Sequence, residues 1–181
     1  MIKESNSNVK ELSYISIGIA TIIVGGIFIF QVSMVFPIPG VKYIMMSPYL
    51  SMVIYILLVN IKSKYALLKI GTTFGFIMML INPYMGLTII MTSLLSQISI
   101  RYISKQNKAS YGAILFSGYA GVCALLISKF IIGGVFKEIS NLWLIITGFI
   151  CLSLGATGQI FAKKTMSHFI KYSVSKNKSF N

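Results

Sequence analysis

Residues 12–36 read LSYISIGIATIIVGGIFIFQVSMVF, with no charged side chain, and run into Pro37-Ile38-Pro39-Gly40. A helix that crosses a bilayer needs about twenty predominantly apolar residues, and this stretch supplies them. Proline cannot continue the backbone ladder and glycine permits the turn, so the segment is expected to stop there. It is about twice the length of a signal-peptide core, so no cleavage is expected and the segment should stay in the membrane. Working outward and cutting at charges, prolines and polar clusters leaves five further apolar runs, at about 44–61, 66–82, 84–103, 110–135 and 141–162. The fold class expected is an all-α membrane protein. It would be a compact bundle of six transmembrane helices forming one integral domain, with a short amino-terminal tail and a basic carboxyl tail.

Composition agrees. Of 181 residues, 56% are hydrophobic and 10% charged, whereas a soluble domain carries roughly a quarter charged residues. The mean hydropathy is +0.83. The acidic residues are Glu4, Glu11 and Glu138, the one histidine is His168, and the thiols are Cys123 and Cys151. So few groups exclude most hydrolytic and metal enzymes, and neither a cofactor nor a metal is expected. Both cysteines fall inside apolar runs, where a thiol behaves as a small hydrophobe rather than half of a disulfide.

Orientation follows from the basic residues, which are retained beside the cytoplasmic ends of spans. Lys3 and Lys10, then Lys62, Lys64 and Lys69, then Arg101, Lys105 and Lys108, then Lys163, Lys164, Lys171, Lys176 and Lys178 fall on one side. Of the 16 basic residues only Lys42, Lys129 and Lys137 fall on the other. A multi-pass protein of the cell membrane with both termini cytoplasmic is expected. The net charge of +13 is accounted for by topology and by anionic lipid at the inner leaflet, with no need of nucleic acid.

Three outer turns carry helix-start signals: Ser47-Pro48-Tyr49, Asn82-Pro83-Tyr84 and Ser140-Asn141-Leu142. Each places a capping residue at the head of an apolar run, and the first two follow it with proline. Helix amino ends grouped there would favour an anionic or acceptor-rich ligand. The polar and aromatic residues mapping to this half, Gln31, Lys42, Tyr49, Asn82, Tyr84, Thr88, Thr92, Lys129, Asn141, Trp143 and Thr147, are the candidate substrate-binding set. The stretch from Phe36 to Ser47 is a candidate lid. Each residue also has a plain structural reading. Tyr and Trp collect at membrane interfaces, a threonine in a span often bonds its own backbone, and Lys129 sits where it can snorkel. Gln97 and Gln159 belong to the inner half, where bonds across helices are expected.

Small residues recur at four-residue spacing, which lets backbones approach closely in lipid. Gly71 and Gly75, Ala113, Ser117 and Gly121, and Gly158 and Ala162 are expected to pack helices within the monomer. Ser16 and Ala20 lie in the cytoplasmic half of the first segment, where a membrane-embedded partner can reach them.

The layout of six spans with cytoplasmic ends, the Ser16/Ala20 pair, the Pro37–Gly40 outer loop and the basic end Gly155-Ala156-Thr157-Gly158-Gln159…Ala162-Lys163-Lys164 resembles the substrate-binding S components of energy-coupling factor (ECF) transporters. That resemblance implies a bundle with an outward-facing site for a vitamin-like micronutrient. It also implies Ser16 and Ala20 as the docking pair for a transmembrane T component, and two ATP-binding-cassette ATPases as the energy source. No Walker A pattern occurs here, so ATP hydrolysis belongs to partners. The alternative is a noncatalytic assembly or sensor subunit without cargo. An intramembrane enzyme lacks a constellation, since His168 lies after the last span among lysines and no serine, cysteine or carboxylate is placed to work with it.

Overall fold

The structure, a computed structural model, describes residues 2–36, 38, 40–61, 63–103 and 107–178, with side chains over 9–168 of these except Val135. Pro37, Pro39, Lys62 and Lys105 lie outside the described residues, as do the side chains of Lys3, Lys171, Lys176 and Lys178. Among the described residues the chain forms six α-helices and no strand. These are α1 (Ile2–Ser33), α2 (Val41–Asn60), α3 (Ala66–Met79), α4 (Pro83–Arg101), α5 (Lys108–Ile127) and α6 (Asn141–Lys178). A π-helical turn, Ser128–Ile132, and a 3-10 turn, Gly134–Glu138, join α5 to α6.

Five of these helices are long and apolar enough to cross a membrane: Val9–Ser33 of α1, α2, α4, α5 with its π turn, and Asn141–His168 of α6. The sixth, α3, has 14 residues and is about 21 Å long, short of the ~30 Å hydrocarbon layer. The apolar run at 66–82 is longer than its helix because its last residues, Leu80 to Asn82, form the turn into α4. At the chain's two ends the helices overrun the expected spans. α1 starts at Ile2 and stops at Ser33, and α6 continues to Lys178. Hydropathy marks where lipid would end, whereas a helix ends where proline, glycine or a cap stops it. No proline or glycine follows Gly158 within α6.

Helix starts follow the sequence signals at two of the three turns that carry them. The Asn82 side chain accepts from the backbone N–H groups of Tyr84 and Met85 at 3.0 and 3.4 Å, with Pro83 in the first turn. The Ser140 hydroxyl accepts from the N–H of Trp143 at 3.2 Å. The third signal is overturned: Ser47 and Pro48 lie inside α2, which opens at Gly40 with φ +92°. Only glycine adopts that left-handed conformation at little cost, and a Cβ at Gly40 would meet Leu125 and Thr147 only in ordinary contact. The Ser47 hydroxyl donates to the Cys151 carbonyl on α6, so it ties two helices together.

α1 packs on α2, α2 lies against α5 and α6, α3 pairs with α4, and α4 and α6 each flank α5. Close approach uses the small residues. A Cβ on Gly71 or Gly75 of α3 would run into Ser93 or Ile90 of α4, one on Gly121 into Cys151, and one on Gly158 into the backbone of Pro48. The main core gathers Ile19, Ile22, Ile54, Leu67, Ile70 and Phe116, and a smaller cluster of Leu125, Ile139 and Leu144 closes the other end.

Three contacts fix which ends meet. Lys69 pairs with Glu11 at 2.9 Å, Gln97 donates to the Lys64 carbonyl at 3.3 Å, and Gln159 bonds Ser110 at 3.0 Å. One end of the bundle therefore carries Lys10, Lys64, Lys69, Arg101, Lys108, Lys163 and Lys164. Lys42, Lys129 and Lys137 lie at the opposite end. Fold and composition together define an all-helical, multi-pass membrane protein.

Candidate functional site

At the end opposite the basic one, the Lys129 ammonium donates to the Ile139 carbonyl at 2.7 Å and to Asn141 Oδ1 at 2.8 Å. The π turn brings this lysine across to the start of α6, so two of the sequence-selected residues meet directly. Trp143 packs against the same small cluster as Tyr43. Next to Tyr43, Lys42 places its ammonium over that residue's ring at 4.9 Å and over Phe30 at 5.7 Å, a cation–π stack between α1 and α2. The Thr88 and Thr92 hydroxyls donate to the carbonyls one turn back, Tyr84 and Thr88, at 2.8 Å each. Thr147 is fully buried, and its hydroxyl has no hydrogen-bond partner in the structure. Gln31, Asn82 and Tyr84 are exposed. The stretch expected as a lid is helical from Val41 onward, so its second half belongs to α2. Tyr49 stands apart from the rest, its phenol donating to the Thr21 carbonyl at 2.6 Å.

Tyr49 belongs to a shallow groove along the exposed seam between α1 and α2. Ile17, Ala20, Thr21, Val24 and Gly25 line it with the Tyr49 ring, about 470 Å³ of space that is largely open to the surroundings. Ser16 and Ala20 both face outward. The inward face of α1 is already occupied, with Leu57 over Gly18, Tyr49 over Gly25 and Met46 over Gly26.

A second concavity, of about 270 Å³, opens at the basic end where the α2–α3 linker, the last turn of α4 and the first turn of α5 meet. Leu58, Ile61, Leu67 and Ile100 line its apolar part, and Lys64, Tyr65, Arg101 and Lys108 its polar part. Sequence reading missed this place, because it treated these cations only as markers of topology. The available signal was the cation-aromatic pair Lys64-Tyr65, with Arg101 at the end of the neighbouring helix. Of the residues selected from sequence, Ala20 and Tyr49 line a described concavity, and they share the α1 groove.

Among the described residues no group of three His, Cys, Asp or Glu side chains comes together to hold a metal ion. Cys123 and Cys151 are free thiols buried in the bundle. No family model, curated protein or solved structure matches the chain.

Proposed function

We propose that this protein is the noncatalytic, substrate-binding subunit of an ECF-type importer. It captures a vitamin-like micronutrient at the outer face and passes it inward with a T component and two ATP-binding-cassette ATPases. The basic end then faces the cytoplasm, in keeping with retention of Lys and Arg there. The observation that carries the reading is the outward face of α1, where Ser16, Ala20 and Thr21 lie exposed beside the Tyr49 groove. Apolar surfaces gain little by meeting in lipid, so helices associate where small residues let backbones close up. α1 offers such a face to a partner while its other side holds α2. The choice of a T component as partner and of a vitamin-like cargo rests on the resemblance of the six-helix layout to S components.

A second reading, an assembly or sensor subunit without cargo, is favoured by how the outer residues are used. Lys129, Lys42, Asn82, Thr88 and Thr92 are each engaged in holding the fold.

Affinity purification in mild detergent followed by native mass spectrometry separates the two. A retained small molecule, together with a membrane partner and ATPases, supports the importer. A stable membrane partner with no ligand supports the second reading and removes the first. Absence of any partner overturns both. In the Ala20→Leu variant the bulky side chain projects from an exposed position, so the monomer should purify normally while partner recovery falls by at least about tenfold, the equivalent of ~1.4 kcal/mol.

A further inference from the structure

Three cations converge on the concavity at the basic end. Lys64 and Arg101 both reach the Tyr65 ring, at 5.9 and 5.7 Å from its centroid, and Lys108 stands at the rim in the first turn of α5. Among the described residues the one ion pair is Lys69 with Glu11, and no carboxylate pairs with these three cations. Like charges held together are costly, and an anion between them relieves that cost. The guanidinium offers a planar fork that matches two phosphate oxygens, while the ammonium groups act as point charges. α5 adds its amino end, with the partial positive charge of its first-turn amides. Asn107, which precedes that turn, makes no capping bond with its side chain.

Below the cations the lining turns apolar and firm. Ile61, Leu67 and Ile100 are buried, and Gly112 packs closely against Ile100, Leu58 and Leu67. Gln97, buried at the same place, holds the Lys64 backbone through its amide. The result is a cationic rim over an apolar floor. Simple topological retention of lysines requires neither the floor nor the convergence.

We propose that this pocket binds a phosphate-bearing anionic group, with the headgroup of an acidic glycerophospholipid as its source. The phosphate sits among Arg101, Lys64 and Lys108, and the glycerol and first acyl carbons lie on the apolar floor. Pockets of this kind between helix ends on the cytoplasmic side suit acidic headgroups, each nearby cation adding to the attraction. The proposal needs neither the importer partners nor a cargo.

The test uses the full-length protein in neutral detergent. Native mass spectrometry with added phosphatidylglycerol or phosphatidylcholine reads lipid retention, and thermal shift with inorganic phosphate reads the free anion. Wild type should retain phosphatidylglycerol over phosphatidylcholine. The triple variant Lys64→Gln/Arg101→Gln/Lys108→Gln should lose about a hundredfold in apparent affinity, the order expected for three surface cations. A control removing equal charge at the same end, Lys10→Gln/Lys163→Gln/Lys164→Gln, should keep the preference. Monodisperse elution of both variants shows that they fold, and Arg101→Lys, which keeps the charge and loses the fork, should fall in between. A variant-sensitive thermal shift with phosphate, without lipid preference, supports the same chemistry with a soluble source. Equal binding by wild type and the triple variant overturns the proposal, and so does an equal loss in the control.

Discussion

At Gly158 the α6 backbone comes so close to α2 that an added Cβ would overlap the Pro48 carbonyl. A carbonyl belongs to a helix and has nowhere to move, unlike the tip of a flexible side chain. Gly158→Ala should therefore destabilise the protein by about 1–3 kcal/mol, the usual range for an overfilled core. The exposed neighbour change Thr157→Ala should stay within about 0.5 kcal/mol. Thermal unfolding of both variants in one detergent measures the difference. The glycine was visible in the sequence, where it pairs with Ala162 at helical spacing. Its partner was not, because nothing local announces that α6 will lie across a proline of α2. Lys129 teaches the same thing at another residue. Its depth near the end of a span was legible, but its bond to Asn141 depends on a π turn that shifts the register of the chain by one residue.

Helix starts built on local chemistry could be read directly, as at Asn82-Pro83 and Ser140. The Ser47-Pro48 signal misled because a proline in the second or third turn of a helix looks the same as one at its head. What decides between them is the left-handed turn at Gly40, which opens α2 seven residues before Ser47, and the Ser47 hydroxyl on the Cys151 carbonyl. For the α3–α4 hairpin, the G-x-x-x-G of Gly71 and Gly75 was legible as a packing face, and α4 fills it with Ser93 and Ile90. Gly71→Ala should cost about 1–3 kcal/mol by overlap with the Ser93 side chain. Adding Ser93→Gly should return part of that loss, less than all because glycine weakens a helix by about 1 kcal/mol. A double-mutant cycle on melting temperature reads the coupling. Strict additivity would mean that the two helices do not meet at this point.

Across the whole molecule, the division into a basic and a non-basic end was legible from charge alone, and the end-to-end contacts of the helices agree with it. The concavities were not, since each needs three elements or an exposed helix face brought together by packing. The placement in a membrane is open to a direct check, because the native thiols Cys123 and Cys151 are buried and introduced cysteines report alone. Tyr102, 89% exposed at the basic end, should as Tyr102→Cys react with a membrane-impermeant maleimide only when the cytoplasmic face is opened. Leu80, equally exposed at the opposite tip of α3, should as Leu80→Cys react slowly on either side until detergent is added. Rapid labelling of Leu80→Cys in intact cells would place that tip in water. If it lies instead among acyl chains, the 14-residue α3 gives the bundle one low flank. Lipid beside that flank must thin or the protein must lean toward it, at a fraction of a kcal/mol per ångström of mismatch. A shorter-tailed bilayer would match α3 more closely, while the five longer helices would meet it by tilting.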